Sequence, residues 1–576
     1  MSTSEVAAPP RPRARWLLPQ EPDSAIVAQL KDELRLPHAV CRLLAIRGFG
    51  EPDHAKAYLR PRLDHLHEPA KLADVDRAVE RIARSVRDKE TILVHGDYDV
   101  DGICSTTLMV RTLRMLGGGT VVPFIPRRLT DGYDLGDAGV RAAEACGARL
   151  VITCDCGTSA HAPIERLQSA GIDVIVADHH LPSGPLPPAY AVLNPKRPGC
   201  PSPDKDLAAV GVAFKLALAL TRAMNGNVNS VFAMLDLVAL ATIADVAPLR
   251  GENRVLVRYG LRLLNEPVRP GIRAMIRATG LEGRALTAGR VGFILAPRLN
   301  AAGRLDSALR GVELLLSTSD QEANPIAREL EELNARRQEI DRATLEQVRD
   351  RVAALDLPAT YGIVLAEQGW HPGVIGIVAS RVVEEFGRPT MLIALEGDTG
   401  KGSGRSISAF DLHGGLSECR HLLLRFGGHR SAAGITIAAD RIDAFAAEFN
   451  AVARSRLTED DLVPELRIDL EVPLDQVNDD LESLLRHLEP CGMGNPSPLL
   501  LTCGLTVAAP PRVVGTDGLK LVLSDGDRRL TALGWGMGPR LREVDEGATI
   551  DVAYRLERDV WNGESRLQAR LADFRA

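Results

Sequence analysis

Thr91-Ile-Leu-Val-His-Gly-Asp-Tyr-Asp-Val-Asp-Gly102 holds a strand, a turn and the start of a helix in twelve residues. Thr91 to Val94 reads as a short buried strand, and the run Ile103 to Leu116 that follows reads as a helix, so His95, Asp99 and Asp101 fall in the turn between them. The C-terminal edge of a strand is where open α/β sheets bind ligands. Two further runs end the same way: Leu150 to Thr153 runs into Asp155, and Val174 to Ala177 into Asp178-His179-His180. Asp245 closes the apolar stretch Leu235 to Ile243, where a buried acid needs a cation or a donor to meet it. Strand ends converging on one crevice with these side chains predict a dinuclear metal site. Carboxylate oxygen and imidazole nitrogen suit Mn2+ or Mg2+, whereas structural zinc more often recruits thiolates. Cys154 and Cys156 flank Asp155, and strand alternation would turn both thiols away from whatever Asp155 faces, so they read as small packing residues.

Composition is compatible with such a site and excludes little. A chain of 576 residues with 45% hydrophobic content holds about three to four domains with real cores. No apolar run is long enough to span a membrane, and the first fifteen residues lack the apolar core of a signal peptide. They read as a disordered basic tail on a cytoplasmic protein. Nine scattered cysteines imply reduced thiols with no disulfide framework. The net charge of −7 does not argue against nucleic acid, because two divalent cations would offset the acids of the site and a strand needs only a basic path. Arg127, Arg128, Arg298, Arg304, Lys401 to Arg405 and Arg425 to Arg430 are candidates for that path.

The expected organisation is a tail (1–15), an N-terminal helical segment (16–79), a parallel-sheet α/β domain (80–318), a connector helix (319–355), a second α/β domain (356–456) and a β-rich domain (457–576). Asn324 is expected as N-cap of the connector, with Pro325 at its first helical position. In the second α/β domain, glycine-rich turns at Gly402 to Ser406 and Gly427 to His429 allow close backbone approach to an anion, and Arg405 is placed to grip a phosphate. Beyond Glu465, short strands with corners at Asp525-Gly526 and Asn562-Gly563 form a small-barrel pattern, with Trp535 and Trp561 as stacking candidates.

His95 to Gly102, the Asp178-His179-His180 triplet, Leu207 to Lys215, Pro297 to Arg304, Gly373 to Arg381 and Phe426 to His429 resemble, in this order, the motifs of the RecJ family of bacterial single-strand-specific exonucleases within the DHH phosphoesterase superfamily. The resemblance runs from about residue 40 to near the C-terminus. Cys156 departs from it, standing where many relatives have Asn. The resemblance implies an α/β fold with a DHH-type parallel-sheet catalytic domain, a DHH-associated substrate-binding domain and a C-terminal OB-fold barrel. It implies two divalent cations, one held by His95 and Asp99, the other by Asp101, His179 and Asp245, with Asp155 bridging. Asp155 and His180 are the implied catalytic residues, His180 at the scissile phosphate or leaving oxygen. Asp97 is left outside the ligand set, orienting His95. Arg298, Asn300, Arg304, Ser403, Arg405, Gly428 and His429 are the implied phosphate and strand contacts, in a crevice between the two α/β lobes. The implied activity is 5′→3′ hydrolysis of single-stranded DNA to 5′-mononucleotides in DNA repair and recombination. The implied partners are single-stranded DNA, a single-strand-binding protein and a helicase, with the chain a monomer and no membrane involved. A DHH phosphodiesterase of short oligonucleotides or cyclic dinucleotides is the alternative, disfavoured by the β-rich tail. That tail is expected to be separable, since every proposed metal ligand precedes residue 250.

Overall fold

Ile92–Gly96 (β1), Val121–Phe124 (β2), Leu150–Cys154 (β3), Asp173–Ala177 (β4) and Ala191–Leu193 (β5) form a parallel sheet in the order β2-β1-β3-β4-β5. The computed structural model describes residues 13–561 and 564–576. Parallel strands need crossovers that cover both faces, which is why these strands are continuous apolar runs. Leu93, Val151, Val174 and Val176 pack on helices Asp137–Ala145 and His161–Ser169, while Ile92, Val94, Ile152 and Ile175 on the alternate face are equally buried. Each such side chain contributes roughly 1.5–3 kcal/mol of burial.

The described residues divide into two compact units: Leu18–Glu332 with Arg467–Ala576, and Leu333–Leu466 with residues 13–17. In the first, the parallel sheet is joined by helices α1 (Val100–Met115), α2 (Leu235–Ala244), α3 (Gly251–Asn265) and α4 (Ala296–Leu305) and by the C-terminal barrel. That barrel is a seven-stranded sheet closed by a pairing between Leu500–Val507 and Gly518–Ser524. The Asp525-Gly526 corner joins Gly518–Ser524 to Arg529–Gly534, whereas Asn562-Gly563 lies outside the described residues, as does the side chain of Trp561. The barrel was expected to be a separable tail, but its core runs on into the N-terminal helices. Leu500, Leu519, Leu521, Val552 and Tyr554 share one cluster with Val27, Leu30, Val40, Leu43 and Leu44 from the N-terminal helices Ser24–Leu34 and His38–Ile46.

The second unit carries a mixed five-stranded sheet in the order Arg425–Gly428, Ala432–Ala438, Thr399–Arg405, Thr390–Glu396, Ile363–Gln368, with only the last pair parallel. Residues 402–405 are therefore strand rather than turn, and only His429 enters a hairpin connection, where its amide donates to the Ala432 carbonyl. Helix α5 (Asp320–Ala353) begins earlier than expected. Ser319 caps it, its hydroxyl accepting from the Glu322 amide and its carbonyl from Ala323, while the Asn324 side chain is taken by Arg277. Pro325 consequently lies inside the helix, near its exposed N-terminal end. Arg15, assigned to the tail, instead begins a short strand, Arg15–Leu17.

Candidate metal centre

The turn after β1 is built by Asp99 and Gly102. Asp99 is the N-cap of α1, one carboxylate oxygen accepting from the amides of Asp101 and Gly102 at 2.9 and 3.1 Å. A Cβ at Gly102 would sit 2.3 Å from the Asp97 carbonyl, so no larger residue lets the turn close this tightly. Asp101, fully buried, accepts from the amides of Ala209 and Val210 at 2.8 Å each, at the start of helix Ala209–Ala223. Its carboxylate thus meets two helix N-termini.

Asp155 follows β3 in a left-handed conformation, φ 66°, which ends the strand's alternation. Cys156 therefore does not alternate away from the site residues as expected: its sulfur lies 3.5 Å from His95 Nδ1. Asp178 turns the chain after β4 by accepting from the amides of His179 and His180. Asp245 ends α2.

Three groups result, each with ligand atoms within 4.8 Å of one another: Asp97, Asp99 and Asp155; Asp101, His179 and Asp245; Asp155, His179 and His180. Asp155 is common to the first and third. His179 Nε2 lies 3.3 Å from Asp155 and 3.7 Å from Asp245. Asp97, expected outside the ligand set, stands beside Asp99 and Asp155, while His95 is in none of the three groups. His95 is nevertheless fully buried, and His95 Nε2, Asp97 Oδ1 and Asp155 Oδ1 are buried atoms without a hydrogen-bond partner.

Electrostatics give the same picture. Burial, then the neighbouring Asp99 carboxylate, pushes Asp97 and Asp155 well above the usual carboxylate range. The same two causes raise Asp101 to about 7, and burial followed by Asp101 raises Asp245 to about 8. Burial lowers His95 to about 4 and His179 to about 3, leaving both imidazoles neutral and free to donate a lone pair. Mutually repelling buried acids, orphaned oxygen and nitrogen atoms and neutral imidazoles form a donor set that fits hard divalent cations. His180 differs. Burial disfavours its charge, but the hydrogen bond from Nδ1 to Asp178 at 2.7 Å outweighs it and raises His180 to about 9. An imidazolium therefore stands at the rim of the acidic cluster.

Around that rim stand Tyr133, which the sequence reading missed, and Arg128, which it offered for the basic path. Tyr133, 48% exposed, brings its hydroxyl within 3.3 Å of both ring nitrogens of His180 and stands edge-on to Tyr98 at 6.3 Å. Arg128 lies over the Tyr98 ring at 4.9 Å. Its basic character was visible in the sequence, whereas Tyr133 was a single aromatic in a polar loop. Asp134, φ 74°, ties this loop to the Asp155 turn by accepting from the Gly157 amide at 2.7 Å.

Of the predicted strand contacts, Asn300 accepts from the Val100 amide at 3.2 Å, and α4 approaches so closely that a Cβ at Gly303 would meet the Tyr98 carbonyl at 2.2 Å. Arg298 is committed to a bidentate pair with Glu331 at 2.8 and 3.1 Å, which takes its fork away from a phosphate. Arg304 is on α4, one turn beyond Asn300. In the other unit Arg405 Nη1 donates to Ser403 Oγ at 3.3 Å and to the Gly404 carbonyl at 2.7 Å. Gly428 ends its strand at φ 142°, with His429 next to it.

A fold whose strand ends gather these acids and imidazoles is that of the DHH class: the chain matches the DHH family N-terminal domain over residues 91–242, the DHHA1 domain over 358–455 and the RecJ OB domain over 468–573. It is 36% identical over 560 residues to the single-stranded-DNA-specific exonuclease RecJ of Escherichia coli (strain K12), covering 92% of this chain and 95% of that protein. To the protein of the same name in Bacillus subtilis (strain 168) it is 35% identical over 565 residues, 97% of this chain and 71% of that one. The crystal structure of RecJ in complex with Mn2+ from Thermus thermophilus superposes with a TM-score of 0.84 at 34% identity, covering 98% of this chain and 80% of that one. The chain belongs to the RecJ family. Among the described residues, no helix is long and apolar enough to cross a membrane.

Proposed function

We propose that this protein degrades single-stranded DNA from its 5′ end, hydrolysing successive phosphodiesters to release 5′-mononucleotides, in DNA repair and recombination. The observation that carries the reading is the meeting of Asp97, Asp99, Asp101, Asp155, His179 and Asp245 at the ends of β1, β3 and β4 and of α2, in a chain that also carries a RecJ-type OB domain. His95, with its buried and unpartnered Nε2, completes the donor set. When bound, two divalent cations, Mn2+ or Mg2+, supply Lewis acidity to the phosphodiester and to the attacking water.

The chain's own residues do the rest. Asp155 is the carboxylate common to the Asp97, Asp99, Asp155 group and the Asp155, His179, His180 group. His180, hydrogen-bonded through Nδ1 to Asp178, is placed to meet the scissile phosphate or its leaving oxygen. Tyr98, Tyr133 and Arg128 frame the entrance with two aromatic faces and a guanidinium, a combination suited to a base and its phosphate. Asn300 and Arg304 on α4 supply further strand contacts, and Ser403, Arg405, Gly428 and His429 form a phosphate-binding edge on the second unit. Arg298 acts by fixing α4 to Glu331 rather than by touching DNA. The barrel adds binding surface for the strand, with Trp535, 56% exposed, as a stacking face. The protein works as a cytoplasmic monomer alongside a helicase and a single-strand-binding protein.

A DHH phosphodiesterase of dinucleotides needs no barrel. Supplying Mn2+ with a long single strand, the matching duplex, a linear dinucleotide and a cyclic dinucleotide separates the readings. Rapid mononucleotide release from the long single strand alone supports the exonuclease; turnover confined to the dinucleotides overturns it.

A further inference from the structure

Asp245 ends α2 in an unusual way. The amides of Val246 and Ala247 donate to the carbonyls of Ile243 and Thr242, the paired bonds of a Schellman termination, and the residue in the left-handed position is Val246, at φ 58°. Glycine normally occupies that place, and a β-branched side chain there is a strained outlier that persists only when its surroundings hold it. The arm that follows this turn, from Leu249 to Arg254, is held by the C-terminal domain. The Leu249 amide donates to the Met493 carbonyl at 2.8 Å, and Arg250 Nε to the Gly494 carbonyl at 2.5 Å. One turn on, the buried Arg254 guanidinium donates to the carbonyls of His487, Leu488, Glu489 and Pro490 at 3.0–3.3 Å and, through Nε, to that of Tyr58. Asn495 completes the clasp: its amide donates to Leu488 and Pro490, and its oxygen accepts from the Tyr58 hydroxyl at 2.6 Å. The fit is close, since a Cβ at Gly492 would lie 2.8 Å from Leu249 and one at Gly494 3.1 Å from Pro248.

We propose that the turn 487–495 of the C-terminal domain is a positioning element for Asp245, and that it couples docking of the barrel to occupancy of the cation site formed by Asp101, His179 and Asp245. The inference rests on Asp245 being a metal ligand. A positioning role explains why a strained turn directly after a ligand is gripped by a segment 244 residues away in sequence. The Asp97, Asp99 and Asp155 group makes no use of this arm, so the coupling is selective for one of the two cations. Coupling free energies are reciprocal, so the cation in turn tightens the clasp.

The test is calorimetric titration of the full chain with Mn2+ alone, comparing wild type, Asp245→Ala and the double variant Arg250→Ala/Gly494→Ala, with cooperative melting as a check of folding. The double variant is expected to weaken one of two Mn2+ binding steps by about tenfold and leave the other unchanged, as outer partners of metal ligands commonly do. Loss of one step in Asp245→Ala with wild-type binding in the folded double variant overturns the inference while leaving the ligand assignment intact. Unchanged binding in Asp245→Ala removes the ligand assignment itself and the inference with it. Should the double variant fail to fold, hydrogen exchange on wild type decides: Mn2+ is expected to slow exchange at the Leu249, Gly492 and Asn495 amides, and indifference of all three to Mn2+ overturns the coupling.

Discussion

Asp155 carries two opposed consequences of one placement. Its buried oxygen, without a hydrogen-bond donor and among four other acids, destabilises the metal-free fold, and the same oxygen is the one proposed to meet the cations. Asp155→Ala is therefore expected to abolish hydrolysis yet raise the melting temperature of the metal-free protein, by about 2–4 °C in scanning calorimetry; a lower melting temperature would mean that the carboxylate is already compensated without metal. Asp97 follows from its neighbours. Standing with Asp99 and Asp155, it predicts that Asp97→Asn lowers kcat by about 10–100-fold, and a near-wild-type rate would return Asp97 to the orienting role that its spacing alone suggested. Acidity makes a third expectation. Asp101 at about 7 and Asp245 at about 8 both exceed their unfolded values near 4, so the metal-free fold binds more protons than the unfolded chain. The contribution of these two groups to stability is fully present below about pH 4 and is lost as pH rises to about 8. Mn2+ must displace the same protons, so its affinity is expected to rise from about pH 6 to 8 with proton release measurable across buffers of different ionisation enthalpy. A pH-independent affinity over that range contradicts the raised values.

Elements explain why so much of this site was legible and where legibility ended. A buried parallel strand is a continuous apolar run, so the ends of β1, β3 and β4, and hence His95, Asp99, Asp101, Asp155 and His179, follow from local pattern alone. The position of Asp97 does not. It depends on how tightly the turn closes over Gly102, which pattern cannot report. The facing of Cys156, though not its reading as a packing residue, was misjudged because alternation was extended past a strand that stops at Cys154, where Asp155 takes up a left-handed backbone. The glycines at 402 and 404 suggested a turn because strands disfavour glycine, yet here they let Met391, Ile435 and Leu412 pack directly against the strand. The tightness of the first turn is itself testable: Gly102→Ala is expected to cost about 1–3 kcal/mol in denaturant melts and to weaken Mn2+ binding together with it. Loss of stability without loss of metal affinity would separate the turn from the site.

At the scale of the molecule, sequence order misled most. The barrel follows the last proposed ligand by more than 200 residues and reads as an appendage, but its core is shared with the N-terminal helices and its turn grips the arm after Asp245. No local pattern records that Arg254 finds its acceptors among backbone carbonyls at 487–490. Truncation before Arg467 would bare Leu30, Leu43 and Leu44, so the remaining chain is expected to aggregate or to lose a cooperative transition rather than persist as a short-substrate nuclease. A truncated protein that melts cooperatively and binds Mn2+ as the full chain does would show the barrel to be an independent module after all. A dinuclear centre that hydrolyses single strands from one end can be checked by following a 5′-terminal label on a long oligonucleotide with Mn2+, single-stranded and as a blunt duplex. The label is expected to appear as a mononucleotide from the first time point with the single strand only, and not at all with Asp155→Ala; a label retained on a strand shortening from its 3′ end, or released equally from the duplex, would rule out 5′-end hydrolysis specific to single strands.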